Sequence, residues 1–114
     1  MNKYDLIITV INRGFADDVM AAARKAGAFG GTVINGRGTG SDQLQQFFGS
    51  VVQPEKELVL ILAAHENRAP IMEAIGKDAS LVKEGMGICF SLPVDSTYGI
   101  TPYPAGGAAS DNNE

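Results

Sequence analysis

The residue types in this chain best suited to binding chemistry are glycines, which form two short turns. The stretch AGAFGGTVINGRGTG, residues 26–40, contains six glycines around one short apolar run. A second turn, Gly85-Met86-Gly87, precedes another apolar run. Successive backbone N–H groups in such turns form concavities that bind anions, and Arg37 places a positive charge beside the first turn. The pattern suggests a ligand site built from residues 37–40 and 85–87, which would meet across a subunit boundary. The alternative is purely structural, with Gly27 ending a helix, Gly30-Gly31 forming a turn, and the glycines from 36 to 40 bending a hairpin.

Residues that could support catalysis or metal binding are scarce. His65 is the only histidine, so a zinc site within one chain would lack its usual partners, and a turn position is favoured. Cys89 lies inside an apolar run, which favours a small core residue over a nucleophile. Arg13 sits in a strand-to-helix loop, where some ferredoxin-like hydrolases hold phosphate. Asp17 and Asp18 read as charges at a helix start. No catalytic set assembles, and we predict neither an enzyme nor a resident metal.

Composition limits the class of protein. The net charge of −4 and the pI of about 4.9 argue against a surface for nucleic acid or anionic membranes. The longest apolar run, Leu58 to Ala64, is far shorter than the roughly 20 residues that span a bilayer. A single cysteine allows no internal disulfide, so we predict a cytoplasmic protein.

The first half of the chain predicts a strand, a helix and a second strand. Residues 4–11 are an almost continuous apolar run rich in β-branched residues. Residues 15–26 repeat apolar positions at helical spacing, and Gly27 follows as a stop. The second strand is expected at residues 32–37. Residues 38–53 are long for a connection in a small domain, which predicts a functional loop.

The second half predicts another strand, helix and strand. Pro54 to Glu57 is expected as a charged turn before the apolar strand Leu58 to Ala64. The second helix is expected to begin after Asn67, and the fourth strand to run from Ile88 to Leu92, where Pro93 stops it. The tail, residues 104–114, is small, polar and acidic, and is expected to be disordered.

The element order is β-α-β-β-α-β within one domain, residues 1–103. Two right-handed crossovers around a hairpin give the α+β ferredoxin-like sandwich, with two helices on one face of a four-stranded antiparallel sheet and strands two and four at opposite edges. Strands one and three are apolar on both faces, yet two helices cover only one. The mismatch predicts that the open face packs on other subunits.

In this order and spacing, the motifs resemble those of the PII nitrogen-regulatory signalling proteins from Tyr4 to about Tyr98. The stretches that carry the resemblance are Asp17-Asp18-Val19, Gly30-Gly31-Thr32-Val33, Gly38-Thr39-Gly40, Glu73-Ala74-Ile75 and the run from Gly85 to Val94. The middle loop is several residues shorter than in the family.

The resemblance implies a homotrimer with an adenine nucleotide as candidate ligand in clefts between subunits. Its ligand-binding residues would be Thr32, Arg37, Gly38, Thr39, Gly40, Ser41, Gly85, Met86 and Gly87. The middle loop, called the T-loop in the family, would change with ligand state and bind a transporter or a metabolic enzyme. Its candidate contact residues here are Asp42, Gln43, Phe47 and Phe48.

Several positions depart from the family pattern. Ile88 occupies the place of a phosphate-binding lysine, and Gly99 and Thr101 replace two arginines. Asp42 and Glu55 stand where a glutamine and a lysine help to bind 2-oxoglutarate. Each lost charge-assisted phosphate contact should cost about 1.5–3 kcal/mol, so tight ATP binding is not expected. The ligand would be a less phosphorylated nucleotide, a small anion or a metabolite.

Two other functions remain open at this point. A CutA-like metal-binding trimer shares the architecture but would need three subunits to pool His65 and Cys89. An acylphosphatase-like hydrolase would depend on Arg13.

Overall fold

The computed structural model describes residues 3–39, 54–78 and 87–100. These ranges contain four strands and two α-helices in the predicted order. In chain order they are β1 (Tyr4–Asn12), α1 (Ala16–Lys25), β2 (Thr32–Arg37), β3 (Glu55–Ala64), α2 (Arg68–Asp78) and β4 (Gly87–Val94), with a 3-10 turn (His65–Asn67) before α2. Neither helix has the length and apolar character needed to cross a lipid bilayer within these ranges.

The four strands form one antiparallel sheet in the order β2-β3-β1-β4. β1 is therefore central, with Tyr4 opposite Ala64 of β3 on one side and Val94 of β4 on the other. β2 joins through β3, where Thr32 is opposite Leu60. The ferredoxin-like α+β fold is confirmed, and strands two and four lie at opposite edges as predicted.

The core lies between the helices and one face of the sheet. On β1 burial alternates strictly, with Ile7, Thr9 and Ile11 fully buried. Val59 and Ile61 of β3 lie on the same face. The helices complete the core with Val19, Met20 and Ala23 from α1, and Ile71 and Ile75 from α2. This alternation follows from the two-residue period of a strand, which sends neighbouring side chains to opposite faces.

Helix α1 ends as the sequence predicts. Gly27 has a φ of +112°, a conformation that glycine adopts without steric cost. The Gly27 amide donates to the Arg24 carbonyl and the Ala28 amide to the Ala23 carbonyl, at 3.1 and 3.0 Å. This is the Schellman arrangement, and Ala28 supplies its buried apolar contact.

Two strand ends differ from prediction. Glu55, Lys56 and Glu57 are strand residues rather than a turn, because the hairpin pairs them with the end of β2 and with β1. β4 continues past Pro93 to Val94. An edge strand tolerates a missing backbone N–H, so proline does not end it.

The second helix follows its prediction closely. Asn67 immediately precedes it, and Pro70 lies in the first turn. Ile71 and Ile75 are fully buried, and Met72 packs partly against the core. The predicted tail and all but the first two residues of the 38–53 loop fall outside the described residues.

Candidate ligand-binding site

The sheet face opposite the helices, called here the open face, carries a block of nine apolar side chains. They are Leu6, Ile8 and Val10 of β1, Leu58, Leu60 and Leu62 of β3, and Ile88, Phe90 and Leu92 of β4. In the register, Ile8 lies between Leu60 and Phe90, so the block forms three continuous rows. Ile88, Phe90 and Leu92 are 60%, 40% and 48% exposed.

Within the described ranges no helix covers this block, because α1 and α2 both pack on the other face. Monomeric soluble proteins rarely expose apolar patches beyond a few hundred Å² unless the patch binds something. As predicted from the sequence, both faces of the sheet are apolar, and within the described residues both helices lie on one of them.

A depression of about 360 Å³ lies on the open face, beside the start of β2. Its apolar wall is formed by Leu6, Leu60 and Leu62. The opposite side is formed by Thr32 and by the segment Phe29-Gly30-Gly31 that enters β2. Phe29 is 48% exposed at the rim of the depression. Apolar walls with a few polar groups are typical of small-molecule sites.

Gly31 lets the entry segment lie close against β3. A Cβ at Gly31 would approach the Leu60 carbonyl oxygen and the Met20 sulfur, each at 2.9 Å. A Cβ at Gly30 would meet nothing within 4 Å. The glycine pair therefore does two things: Gly31 permits close packing on the sheet, and Gly30 leaves the side of the depression open.

Gly36 and Gly87, the strand residues next to the two predicted glycine turns, lie at one end of the sheet, on opposite edges. Gly36 of β2 is opposite Lys56 of β3, and Lys56 is opposite Asn12 of β1. Gly87 of β4 is opposite Ile11 of β1. Three strand spacings separate the edges, roughly 14 Å at about 4.8 Å each. Asn12 and Lys56 therefore occupy the space between the turns.

The predicted binding residues of β2 point to different faces. Thr32 pairs with Leu60 and lies on the open face, beside the depression. Arg37 pairs with Glu55 and has the opposite parity, so it lies on the helix side of the sheet. The structure does not bring Arg37 and Thr32 onto one surface within a subunit. Ile88, which replaces a family lysine, is on the open face.

The other predicted site residues are described only in part. The Gly38 amide donates to the Pro54 carbonyl at 2.6 Å and closes the base of the loop. Thr39 is exposed. The remaining candidates, Gly40, Ser41, Asp42, Gln43, Phe47, Phe48, Gly85 and Met86, lie outside the described residues.

The loop between β1 and α1 offers little to a phosphate. Phe15, at the N-cap position, supplies no side-chain hydrogen bond to the helix. Instead, Oε1 of Glu57 accepts from the amides of Gly14 and Ala16, each at 3.1 Å. A carboxylate thus occupies the amides that a phosphate bound near Arg13 would need, and its charge would repel the anion. This contact argues against the acylphosphatase-like alternative.

His65 has a specific partner that the sequence did not reveal. Its Nδ1 lies 2.7 Å from Oδ2 of Asp5, a buried carboxylate at the start of β1. The Arg68 Nε lies 3.3 Å from the same oxygen. The cluster ties β1 to the junction between β3 and α2 and compensates a buried charge. In the described part of the chain, no group of three or more potential ligands could hold a metal ion.

Cys89 packs against the core from β4 as expected. Burial raises the pKa of its thiol, and a hydrogen bond from the Thr9 hydroxyl at 3.5 Å partly offsets the increase. A protonated, partly buried thiol is a poor nucleophile and a poor metal ligand.

Sequence reasoning missed several residues of this region, namely Phe29, Leu60, Leu62 and Lys56. The available signal was strand parity: once Thr32 is set opposite Leu60, every second residue of β3 falls on the open face. That register depends on tertiary pairing, which the sequence does not state.

Comparison with known proteins agrees with this architecture. The family model of nitrogen regulatory protein P-II matches residues 4–103. No curated protein matches the chain. Among solved structures, the crystal structure of Arabidopsis thaliana PII bound to citrate aligns with a TM-score of 0.64 and 24% identity, over 82% of this chain and 78% of that chain. At that identity the likeness establishes the shared fold, whereas the family model covers nearly the whole chain. The chain therefore belongs to the nitrogen regulatory protein P-II family.

Proposed function

We propose that this protein is a trimeric PII-like regulator that senses a small ligand in clefts between subunits and controls a partner protein through the loop of residues 40–53. The observation that carries the proposal is the uncovered open face, with a depression at its edge. Family membership supports a regulatory rather than an enzymatic role.

The open face supports self-association. Nine apolar side chains in three rows have the composition of a subunit interface core. Three copies related by a threefold axis would bury their three open faces against one another, and no open face would stay exposed in such a closed assembly. A trimer is also the arrangement that the family resemblance implies.

The depression supports a ligand site that association completes. Leu60 and Leu62 contribute both to the apolar block and to the wall of the depression. A neighbouring copy packed on the open face would therefore lie beside Thr32 and Phe29 and supply the missing wall. We propose that a less phosphorylated adenine nucleotide or another small anion binds in the cleft that this association completes.

The regulatory step would be a shift in the state of the loop. A ligand shifts such an equilibrium only by its difference in affinity for the two states. The partner would be a membrane transporter or a metabolic enzyme in the cytoplasm.

Two measurements test this function. Native mass spectrometry or light scattering should give three times the chain mass of 12.0 kDa. Hydrogen exchange of residues 40–53 should then change with at least one of ADP, AMP, cyclic nucleotides, bicarbonate or adenosine. A dilute, well-folded monomer, or loop exchange that no ligand alters, would refute the proposal.

A further inference from the structure

One cross-strand pair at the loop end of the open face has the chemistry of an anion contact. Lys56 and Asn12 are directly opposite each other in the β1–β3 register. The Lys56 Nζ donates to Oδ1 of Asn12 at 2.6 Å. An ammonium group has three donors, and within the described residues Asn12 is the acceptor that Nζ contacts. The contact fixes the position of the charge and leaves donors for a ligand.

The stem of Lys56 is held in place by the first glycine of the loop. A Cβ at Gly38 would lie 2.9 Å from Cε of Lys56 and 3.5 Å from its Cγ. The lysine stem therefore lies across the backbone of Gly38, whose amide is bound to Pro54. Any larger residue at position 38 would push the stem away. The stem of Lys56, rather than its ammonium group, is thus the part that packs beside Gly38 at the base of the loop.

Among the described strand residues, Lys56 is the one cationic side chain that lies on the open face. The open-face positions of the four strands otherwise hold apolar, small or neutral polar residues. Arg37 and Glu55 lie on the helix side of the sheet, and Glu57 is bound to the start of α1. An anion that reaches the open face therefore meets one positive charge among the described strand residues, and that charge is not ion-paired with Glu55 or Glu57.

We infer that Lys56, positioned by Asn12 and Gly38, binds one anionic group of the ligand, a phosphate monoester in the case of a nucleotide. This inference rests on the proposed function, since it assigns the charged end of the same cleft. Lys56 lies four residues from Leu60 on β3, roughly 13 Å along the strand. The base and the phosphate of AMP are closer together than this, so an AMP phosphate bound at Lys56 would place the base between Lys56 and the depression rather than inside the depression.

The inference also gives the site a means of reaching the loop. Anion binding would draw on the lysine whose stem packs over Gly38, so the charge of the ligand and the base of the loop would be linked through one side chain.

The experiment compares AMP with adenosine by isothermal titration calorimetry, using the wild-type trimer, Lys56→Met and Lys56→Arg. Inorganic phosphate and bicarbonate serve as additional anion probes. Lys77→Met is the matched control, because Lys77 is 71% exposed on α2 and pairs only with Glu73 among the described residues. Thermal unfolding of each variant verifies that it folds.

AMP should bind wild type more tightly than adenosine, and Lys56→Met should lose about 10- to 150-fold in AMP affinity while adenosine affinity is unchanged. Lys56→Arg should retain most of the AMP affinity, and Lys77→Met should match wild type. If Lys56→Met binds AMP as wild type does, the inference is wrong although the regulatory function stands. If none of the anions binds wild type, the inference is also wrong, and loop exchange with neutral adenosine then decides the function separately.

Discussion

Replacing Phe90 with Asp is the sharpest test of the open face as a subunit interface. Phe90 lies in the middle row of the apolar block, opposite Ile8. It contributes little to the core of a single subunit, because it is on the face away from the helices. The substitution should therefore affect assembly much more than folding.

The expected size of the effect follows from exposed area. An aromatic side chain carries roughly 150–250 Å², and 40% exposure leaves roughly 60–100 Å² for a neighbouring copy to cover. At about 25 cal/mol per Å², that area contributes about 1.5–2.5 kcal/mol per subunit, or roughly 4.5–7.5 kcal/mol for three. The assembly constant should fall by roughly 10³- to 10⁵-fold, and the desolvated carboxylate would lower it further.

The assay is analytical ultracentrifugation across a concentration series, with circular dichroism to confirm the fold. Phe15→Asn is the control, because Phe15 is 37% exposed but lies at the N-cap of α1, away from the open face. Asparagine is a favoured N-cap residue and adds no charge beside Glu57, so this control should fold and assemble normally. A Phe90→Asp protein that remains trimeric at low concentration would refute the assignment of the open face.

Three further predictions concern the framework around the site. Glu57→Ala should lower the free energy of unfolding by about 1–3 kcal/mol in urea titrations, because two amides at the start of α1 lose their acceptor; an unchanged midpoint would show that solvent replaces the carboxylate. Gly87→Ala should destabilise the sheet by about 1–3 kcal/mol or more, because its methyl group would overlap the Val10 carbonyl, whereas Gly30→Ala meets no atom within 4 Å and should be nearly neutral. Cys89 should react with iodoacetamide at a pH midpoint above that of an unfolded thiol, since burial raises the pKa of the Cys89 thiol. The stability gained by burying the protonated thiol should be complete below the unfolded pKa of about 8.5. That stability should decline as the pH rises through the pKa of the thiol in the folded protein. A Cys89 that alkylates as fast as a free peptide thiol at pH 8 would contradict the burial argument.

Much of the fold follows from local pattern. The bounds of β2, Thr32–Arg37, agree with the prediction because β-branched residues sit between two glycine turns. The stop at Gly27 is equally local, since only a residue tolerant of positive φ completes the helix end. The open face could also be predicted, because strands one and three are apolar on both faces and the two helices can cover only one face of the sheet.

The strand ends could not be predicted from local pattern. Glu55, Lys56 and Glu57 look like a charged turn, yet each has a cross-strand or helix partner that makes strand geometry favourable. Glu57 illustrates the point, because its carboxylate binds amides more than 40 positions away in the chain. Pro93 looks like a stop, but its edge position removes the penalty.

The candidate site was predictable only in outline. The two glycine turns were predicted from composition, and the described strand residues beside them, Gly36 and Gly87, lie at the same end of the sheet. Lys56 lies on the open face of the sheet and Arg37 on the helix side, so Lys56, rather than the predicted Arg37, can contact a ligand on the open face. A shift of one residue in register would move the side chains of a strand to the opposite face, and sequence pattern alone does not fix register to that accuracy.

The strand order has a consequence for how the protein is made. β1 is translated first but pairs with β3 and β4, whose last residues are Ala64 and Val94. At about 5–20 residues per second on the ribosome, roughly 4–16 s pass between the emergence of β1 and the completion of β4. During that interval the apolar strand β1 lacks β4 as its neighbour on one side. Newly synthesised chains should therefore depend on chaperones more than the folded protein does.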